Sequence, residues 1–317
     1  MDVLMPVPMT PLVISGIDAE LTLHRMWEMS ADEIAAVTPH IRALAVGGGH
    51  QPVNAAFMSR FPGLEIISSF GVGYDHVDAR WAAAHNVIVT HTPDVLNEEV
   101  ADTALGLLLA TVRELPRAER FLRAGNWLNG NFHLTATLRG RTMGIIGLGR
   151  IGKAIAKRAE AFGLDIAYHG RTQQAGVTYR YYSTLKGLAE AVDILMVITP
   201  GGAATKNLVN AEILEALGSN GILINVARGS VVDEDALITA LQQGKILSAG
   251  LDVFADEPRV PQALLDMDHI VLLPHVGSAS QHTRNAMGQL VVDNLRAWAK
   301  GKTPLTPVPE TPFHGFI

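Results

Sequence analysis

The sequence predicts an α/β protein of two compact parts, each built on a parallel sheet. Short Val/Ile/Leu-rich runs alternate with helix-compatible stretches, and those runs lack the strict polar alternation of a sheet with one wet face. The length of 317 residues suits two domains of ~100–200 residues each. Strands buried on both faces need crossover helices to cover them, which is the α/β arrangement.

The first series of runs is Val3–Met5, Ala43–Val46, Leu64–Ile67 and Val87–Val89, bounded by Pro, Gly or Asn, and it predicts a small parallel sheet. Asn97 with Glu98 and Glu99 has the composition of a helix start and leads into an Ala/Leu-rich stretch through Ala110, which would join the two parts. The second series opens at Thr142–Ile146 and continues with Asp165–Tyr168, Ile194–Thr199, Ile222–Val226, Ser248–Val253 and Ile270–Leu273. Between its first two members, Ile151, Ala154, Ile155, Arg158 and Phe162 recur at helical spacing, giving a strand-helix-strand unit. A second long helix, from about His282 to Lys300, would cross back to the first part. After Gly301, Pro304, Pro307, Pro309 and Pro312 predict an extended tail that wraps the first domain.

Composition narrows the function classes. Hydrophobic residues make up 48% and charged residues 18%, as in globular proteins, and a net charge of -6 supplies no broad cationic field for nucleic acid or acidic lipid. With no cysteine there is no disulfide, zinc-thiolate site or thiol nucleophile, which fits a reducing cytoplasm; any metal would need His and carboxylates, and no such site is assigned. The apolar stretch Thr103–Val112 is about half the length of a membrane span and reads as a buried helix. The start Met1-Asp2-Val3-Leu4-Met5-Pro6 lacks the basic region and apolar core of a secretory signal, so a cytoplasmic protein is expected.

Gly147-Leu148-Gly149-Arg150-Ile151-Gly152 follows the run Met143–Ile146 and opens the helical stretch, the context in which G-x-G-x-x-G signals a dinucleotide site in a Rossmann-type doubly wound sheet. Gly147 would permit the tight turn, Gly149 a close backbone approach to the pyrophosphate, and Gly152 close packing of helix on strand, with Arg150 and Ile151 in the first helical turn facing the phosphates. At the end of the next strand, where an NAD site carries an acid for the ribose hydroxyls, the sequence reads Tyr168-His169-Gly170-Arg171-Thr172. Nothing there repels a 2′-phosphate, while Arg171 offers a cationic fork and Thr172 a hydroxyl, so NADPH (NADP+) is favoured, with NADH possible. His169 would either stack on adenine or stand exposed.

Downstream, Asn225-Val226-Ala227-Arg228-Gly229, Gly250-Leu251-Asp252-Val253-Phe254 with Glu257-Pro258, and Pro274-His275-Val276-Gly277-Ser278 each follow an expected strand. Residues beyond the carboxyl ends of parallel strands gather at one crevice, which would bring Arg228, Asp252, Glu257 and His275 together. Arg228 would bind a substrate carboxylate and polarise the adjacent carbonyl. His275 would protonate the developing alkoxide, with Glu257 favouring the imidazolium and holding its orientation. Each residue alone also suits a structural role, as an ion pair, a helix-start acid or a loop histidine.

The chain resembles the D-isomer-specific 2-hydroxyacid dehydrogenase family over nearly its whole length, through Gly71-Val72-Gly73-Tyr74-Asp75-His76-Val77-Asp78, Val100-Ala101-Asp102-Thr103-Ala104, Gly147–Gly152, Asn225–Glu234, Gly250–Pro258 and Pro274–Ser280. The resemblance implies a Rossmann-type nucleotide domain, residues 97–283, inserted into a flavodoxin-like substrate domain made of residues 1–96 and 284–317. It implies Arg228 as substrate anchor, Glu257 and His275 as the acid-base pair, Asp252 near the nicotinamide carboxamide, Thr103 among the cofactor contacts, and the backbone N–H groups of Val72 and Gly73 on the substrate carboxylate. Leu4-Met5-Pro6-Val7-Pro8-Met9 and the Tyr168–Thr172 segment are similar to the NADPH-using glyoxylate/hydroxypyruvate and hydroxyphenylpyruvate reductase branch. Gly47-Gly48-Gly49 with His50 and Gln51 either tune substrate size or form only a turn.

Glu257 stands where formate dehydrogenases of this fold carry Gln, which argues against formate oxidation. A phosphoglycerate dehydrogenase-like enzyme and a nucleotide-sensing corepressor-like binding protein are the competing readings. A homodimer through the nucleotide domain is implied by the resemblance, and Trp127, Leu128, Phe132 and Leu134 would supply apolar contact there or else belong to the core.

Overall fold

The computed structural model describes residues 1–47 and 52–313. Gly48, Gly49, His50 and Gln51 lie outside the described residues, and with them the expectation of a substrate-tuning turn. The chain divides into two units, Met1–Leu96 with Ser280–Ile317, and Asn97–Ala279. Among the described residues no helix is long and apolar enough to cross a membrane.

The first unit holds strands β1 (Asp2–Met5), β2 (Thr22–Arg25), β3 (Ile41–Gly47), β4 (Ile66–Phe70) and β5 (Ile88–Thr90), in the order β2-β1-β3-β4-β5. All pairings are parallel, the order of a flavodoxin-like sheet. Leu4, Leu44, Ile67 and Val89 are fully buried, which explains their legibility as apolar runs. Strand β2 escaped sequence reading because Thr22-Leu23-His24-Arg25 lies at the sheet edge with no fully buried residue.

The helix Gln281–Ala299 belongs to this first unit, and Ser280 caps it by accepting from the Thr283 N–H at 3.2 Å. The unit therefore resumes at Ser280 rather than at residue 284, since the cap and its helix cannot be parted. The proline-rich tail returns along β5: His91 N–H donates to Thr306 O at 3.1 Å and Val308 N–H to Val89 O at 2.8 Å, around an antiparallel bridge between Thr90 and Pro307. A proline is tolerated there because the outer side of an edge partner needs no donor. The tail closes an otherwise open sheet edge and buries Val308 completely.

The second unit contains β6 (Thr142–Ile146), β7 (Asp165–His169), β8 (Arg180–Tyr182), β9 (Ile194–Val197), β10 (Ile222–Asn225), β11 (Ser248–Leu251) and β12 (Val271–Leu272), ordered β12-β11-β10-β9-β6-β7-β8. This is the Rossmann order, parallel throughout, extended by β12 at one edge. The unexpected strand is β8, three residues of Arg-Tyr-Tyr at the other edge. Helix Asn97–Val112 packs against helix Arg150–Ala161, and Arg158 reaches Asp102 at 2.5 Å and Glu98 at 2.7 Å. That gives Asp102 a helix-joining role.

Candidate active site

Register fixes where the functional residues emerge. Ile146 pairs with His169 and with Val197, Val197 with Asn225, Asn225 with Leu251, and Leu251 with Leu272. The carboxyl ends of six strands are therefore level, and the segments after β6, β7, β10, β11 and β12 leave the sheet at one edge. The β6/β9 neighbours mark the point where strand order reverses, the usual place for a ligand crevice.

After β6 the chain turns through Gly147, whose φ of +97° is a region that side chains disfavour. A Cβ on Gly152 would stand 2.3 Å from Gly147 O, so the first turn of the helix lies directly against the glycine turn that precedes it. Gly149 is the N-cap, faces open space and has no side chain to cap the first-turn N–H groups, leaving the helix that begins Arg150-Ile151-Gly152 with an uncapped positive end. Such an end fits a pyrophosphate. After β7, Arg171 and Thr172 are both exposed. His169 is half-buried, and its ring contacts Tyr182 O through Nδ1 at 2.9 Å, so it is neither free to swing nor fully exposed.

After β10, Asn225 is buried and shapes the next turn: its Oδ1 accepts from Ala227 N–H at 3.0 Å and its Nδ2 donates to Arg228 O at 3.1 Å. Arg228 Nη1 donates to Ala227 O at 2.7 Å. Gly229 follows because a Cβ there would fall 1.8 Å from Phe254 C, the backbone of the loop that carries Glu257.

In that second loop, Glu257 Oε1 accepts from Phe254 N–H at 3.0 Å, while Oε2 lies 2.7 Å from His275 Nδ1. Burial pushes the Glu257 carboxyl up, but the His275 hydrogen bond, the Phe254 N–H and the charges of His275 and Arg228 outweigh it, so the group sits below the usual carboxylate value. It is ionised at neutrality, and His275 Nδ1 therefore donates. His275 has φ +54°, uncommon for a residue with a side chain, and its side chain is 45% exposed.

Asp252 is buried beneath the third loop. Its Oδ1 accepts from Val276 N–H at 2.7 Å, its Oδ2 from Gly277 N–H at 2.8 Å, and its carbonyl from His275 N–H at 2.9 Å. Burial raises its carboxyl above the ordinary value despite those two N–H groups. Thr103 Oγ1 donates to Gly277 O at 3.2 Å from the helix Asn97–Val112. Sequence reasoning linked Asp252 and Thr103 to the cofactor; the structure engages both in bracing the His275 loop. Asn225 carried no role in the sequence reading, although an Asn closing a buried strand is a signal of turn-shaping.

In the first unit, β4 leads into Gly71-Val72-Gly73. Gly71 N–H donates to Thr92 Oγ1 at 3.0 Å, Thr92 N–H to Gly71 O at 2.8 Å, and His91 Nδ1 contacts Val72 O at 2.9 Å. Tyr74 OH donates to Glu310 at 2.8 Å, and its hydroxyl is pushed up to about 12 by burial and by Glu310. Among the described residues nothing accepts from the N–H of Val72 or Gly73.

The family model for the NAD binding domain of D-isomer specific 2-hydroxyacid dehydrogenases matches residues 105–277. The chain belongs to that family. Among curated relatives of this dehydrogenase, the glyoxylate/hydroxypyruvate reductase A of Arabidopsis thaliana is 46% identical, covering 96% of the chain and 98% of the relative. The hydroxyphenylpyruvate reductase of Plectranthus scutellarioides is 44% identical over the same shares. The crystal structure of the NADPH-dependent glyoxylate/hydroxypyruvate reductase of Sinorhizobium meliloti, in complex with NADP and malonate, is 53% identical, covers 98% of both chains and superposes with a TM-score of 0.93.

Proposed function

We propose that this dehydrogenase reduces small 2-keto acids, glyoxylate and hydroxypyruvate foremost, to D-2-hydroxy acids with NADPH. The observation that carries the reading is the His275–Glu257 pair, 2.7 Å apart, set beside Arg228 at the strand-end edge that also bears the glycine turn. Bound NADPH supplies the hydride. Arg228 binds the substrate carboxylate and draws electron density from the neighbouring carbonyl. Because His275 Nδ1 is held by Glu257, Nε2 is the nitrogen left to give its proton to the carbonyl oxygen as that oxygen becomes a hydroxyl. The ionised Glu257 accepts from Nδ1 and keeps the ring in one orientation. Val72 and Gly73 offer two backbone N–H donors suited to a carboxylate.

NADPH is preferred over NADH because Arg171 and Thr172 stand where an NAD site has its acid. The protein acts as a homodimer in the cytoplasm. Leu128 at 93% and Leu134 at 99% exposure, with Trp127 at 64%, support the first point, and a cysteine-free chain suits the second.

A kinetic matrix of glyoxylate, hydroxypyruvate, 4-hydroxyphenylpyruvate and 2-ketogluconate against NADPH and NADH tests the reading. Highest kcat/KM with glyoxylate or hydroxypyruvate and NADPH is expected. His275→Ala should lower kcat by about 10²–10⁴-fold with NADPH binding nearly unchanged. No turnover despite tight NADPH binding would instead favour a nucleotide sensor.

A further inference from the structure

We propose that Gln174 and Tyr168 are positioning residues for cofactor selectivity, holding the Arg171–Thr172 loop at a set distance from the glycine turn. The proposal rests on the NADPH reading above. In NADPH the 2′-phosphate and the pyrophosphate hang from the same ribose, so one sugar sets their separation. Two loops that recognise them must keep a matching separation before the ligand arrives, or binding must supply the ordering.

The loop after β7 is built for that. Tyr181 OH donates to Gly170 O at 3.3 Å, and Gln174 N–H donates to Tyr168 OH at 2.8 Å. Arg171, Thr172 and Gln173, all exposed, are thus strung between two backbone atoms pinned by tyrosines. Gln174 then spans to the other loop, its Nε2 donating at 2.7 Å to the carbonyl of Leu148, between Gly147 and Gly149. The strand end is keyed to the same turn by Gly147 N–H donating to His169 O at 3.0 Å.

Tyr168 makes the assignment specific. It is 1% exposed, and a phenylalanine would fill the same core volume without burying a hydroxyl. The partner of that hydroxyl is the Gln174 N–H, so the polar atom acts on the loop rather than on the core. Gln174 in turn is half-buried, and its side-chain amide donates to the glycine turn. Neither residue is expected to touch the cofactor; each acts through Arg171 and Thr172.

The test measures equilibrium binding of NADPH and NADH, without turnover, to the full chain and to Gln174→Leu, Tyr168→Phe and Arg171→Ala. Loss of one positioning hydrogen bond is expected to weaken NADPH about tenfold while NADH changes less than about twofold. In the Arg171→Ala background, Gln174→Leu should change the NADPH/NADH ratio clearly less than it does in the unsubstituted chain, since the Arg171 share of the recognition it positions is already gone. An unchanged ratio in both Gln174→Leu and Tyr168→Phe overturns the proposal. Equal weakening of the two nucleotides does so as well, because it marks a merely structural role. If the unsubstituted protein itself binds both nucleotides equally, the NADPH reading fails first and the proposal with it.

Discussion

His275 joins two costs: a left-handed backbone at φ +54° and a charged partner half-buried beside it. Glu257 meets the second cost with two hydrogen bonds, one from His275 and one from Phe254 N–H. Its carboxyl lies below its ordinary value of 4.5, so its ionised form favours folding. The sign follows from linkage: the contribution is complete above about 4.5 and is lost as pH falls through the lower folded value. Urea unfolding of the unsubstituted chain and Glu257→Gln should therefore differ at neutrality and converge in acid below that value. A gap that persists or widens in acid would contradict the pairing. The residue types were legible because Arg, Glu and His at strand ends are a recognisable set; that Nδ1 rather than Nε2 faces Glu257 was not, because ring orientation depends on a partner distant in sequence.

At the scale of the element, the loop Pro274–Ser278 has no regular structure of its own and is held from beneath by Asp252 and from the side by Thr103. An Asn in place of Asp252 would turn an NH2 group toward a backbone N–H, so one of the Val276 and Gly277 donors would lose its acceptor. Asp252→Asn should destabilise the protein by about 1–3 kcal/mol and lower kcat more than it raises the KM for the keto acid. Chemical denaturation and steady-state kinetics check both, and an unaltered kcat would free the loop geometry from Asp252. The glycine turn was legible as a local motif, since Gly147 turns at a positive φ and Gly152 lies against Gly147 O; the close approach of Gly147 to Ile198 and Thr199, distant in sequence, was not legible. Edge strands β2 and β8 were not, because neither holds a fully buried residue and so neither shows an apolar run, whereas edge strands β5 and β12 each bury at least one.

Across the whole molecule, the nucleotide unit exposes Trp127, Leu128 and Leu134 in a segment from 126 to 138 that is mostly irregular, while Phe132 packs edge-on against Phe121 at 5.4 Å. The exposed residues are therefore surface and not core. Leu128→Glu with Leu134→Glu should convert a dimer to monomer in sedimentation velocity while the far-UV spectrum stays unchanged. A dimer that survives both changes would place its interface elsewhere. The amino-acid sequence by itself determined the two runs of buried strands, the glycine turn opening a helix, and the residue types at the strand ends, because each is set by local periodicity, sterics or side-chain chemistry. Only the tertiary structure decided the level register of β6, β7, β9, β10, β11 and β12, the commitment of Asp252 and Thr103 to the His275 loop, and the Gln174 link from the loop after β7 to the glycine turn. These join positions far apart along the chain, and which distant donor meets which acceptor is settled by how the strands stack and not by any pattern along one of them.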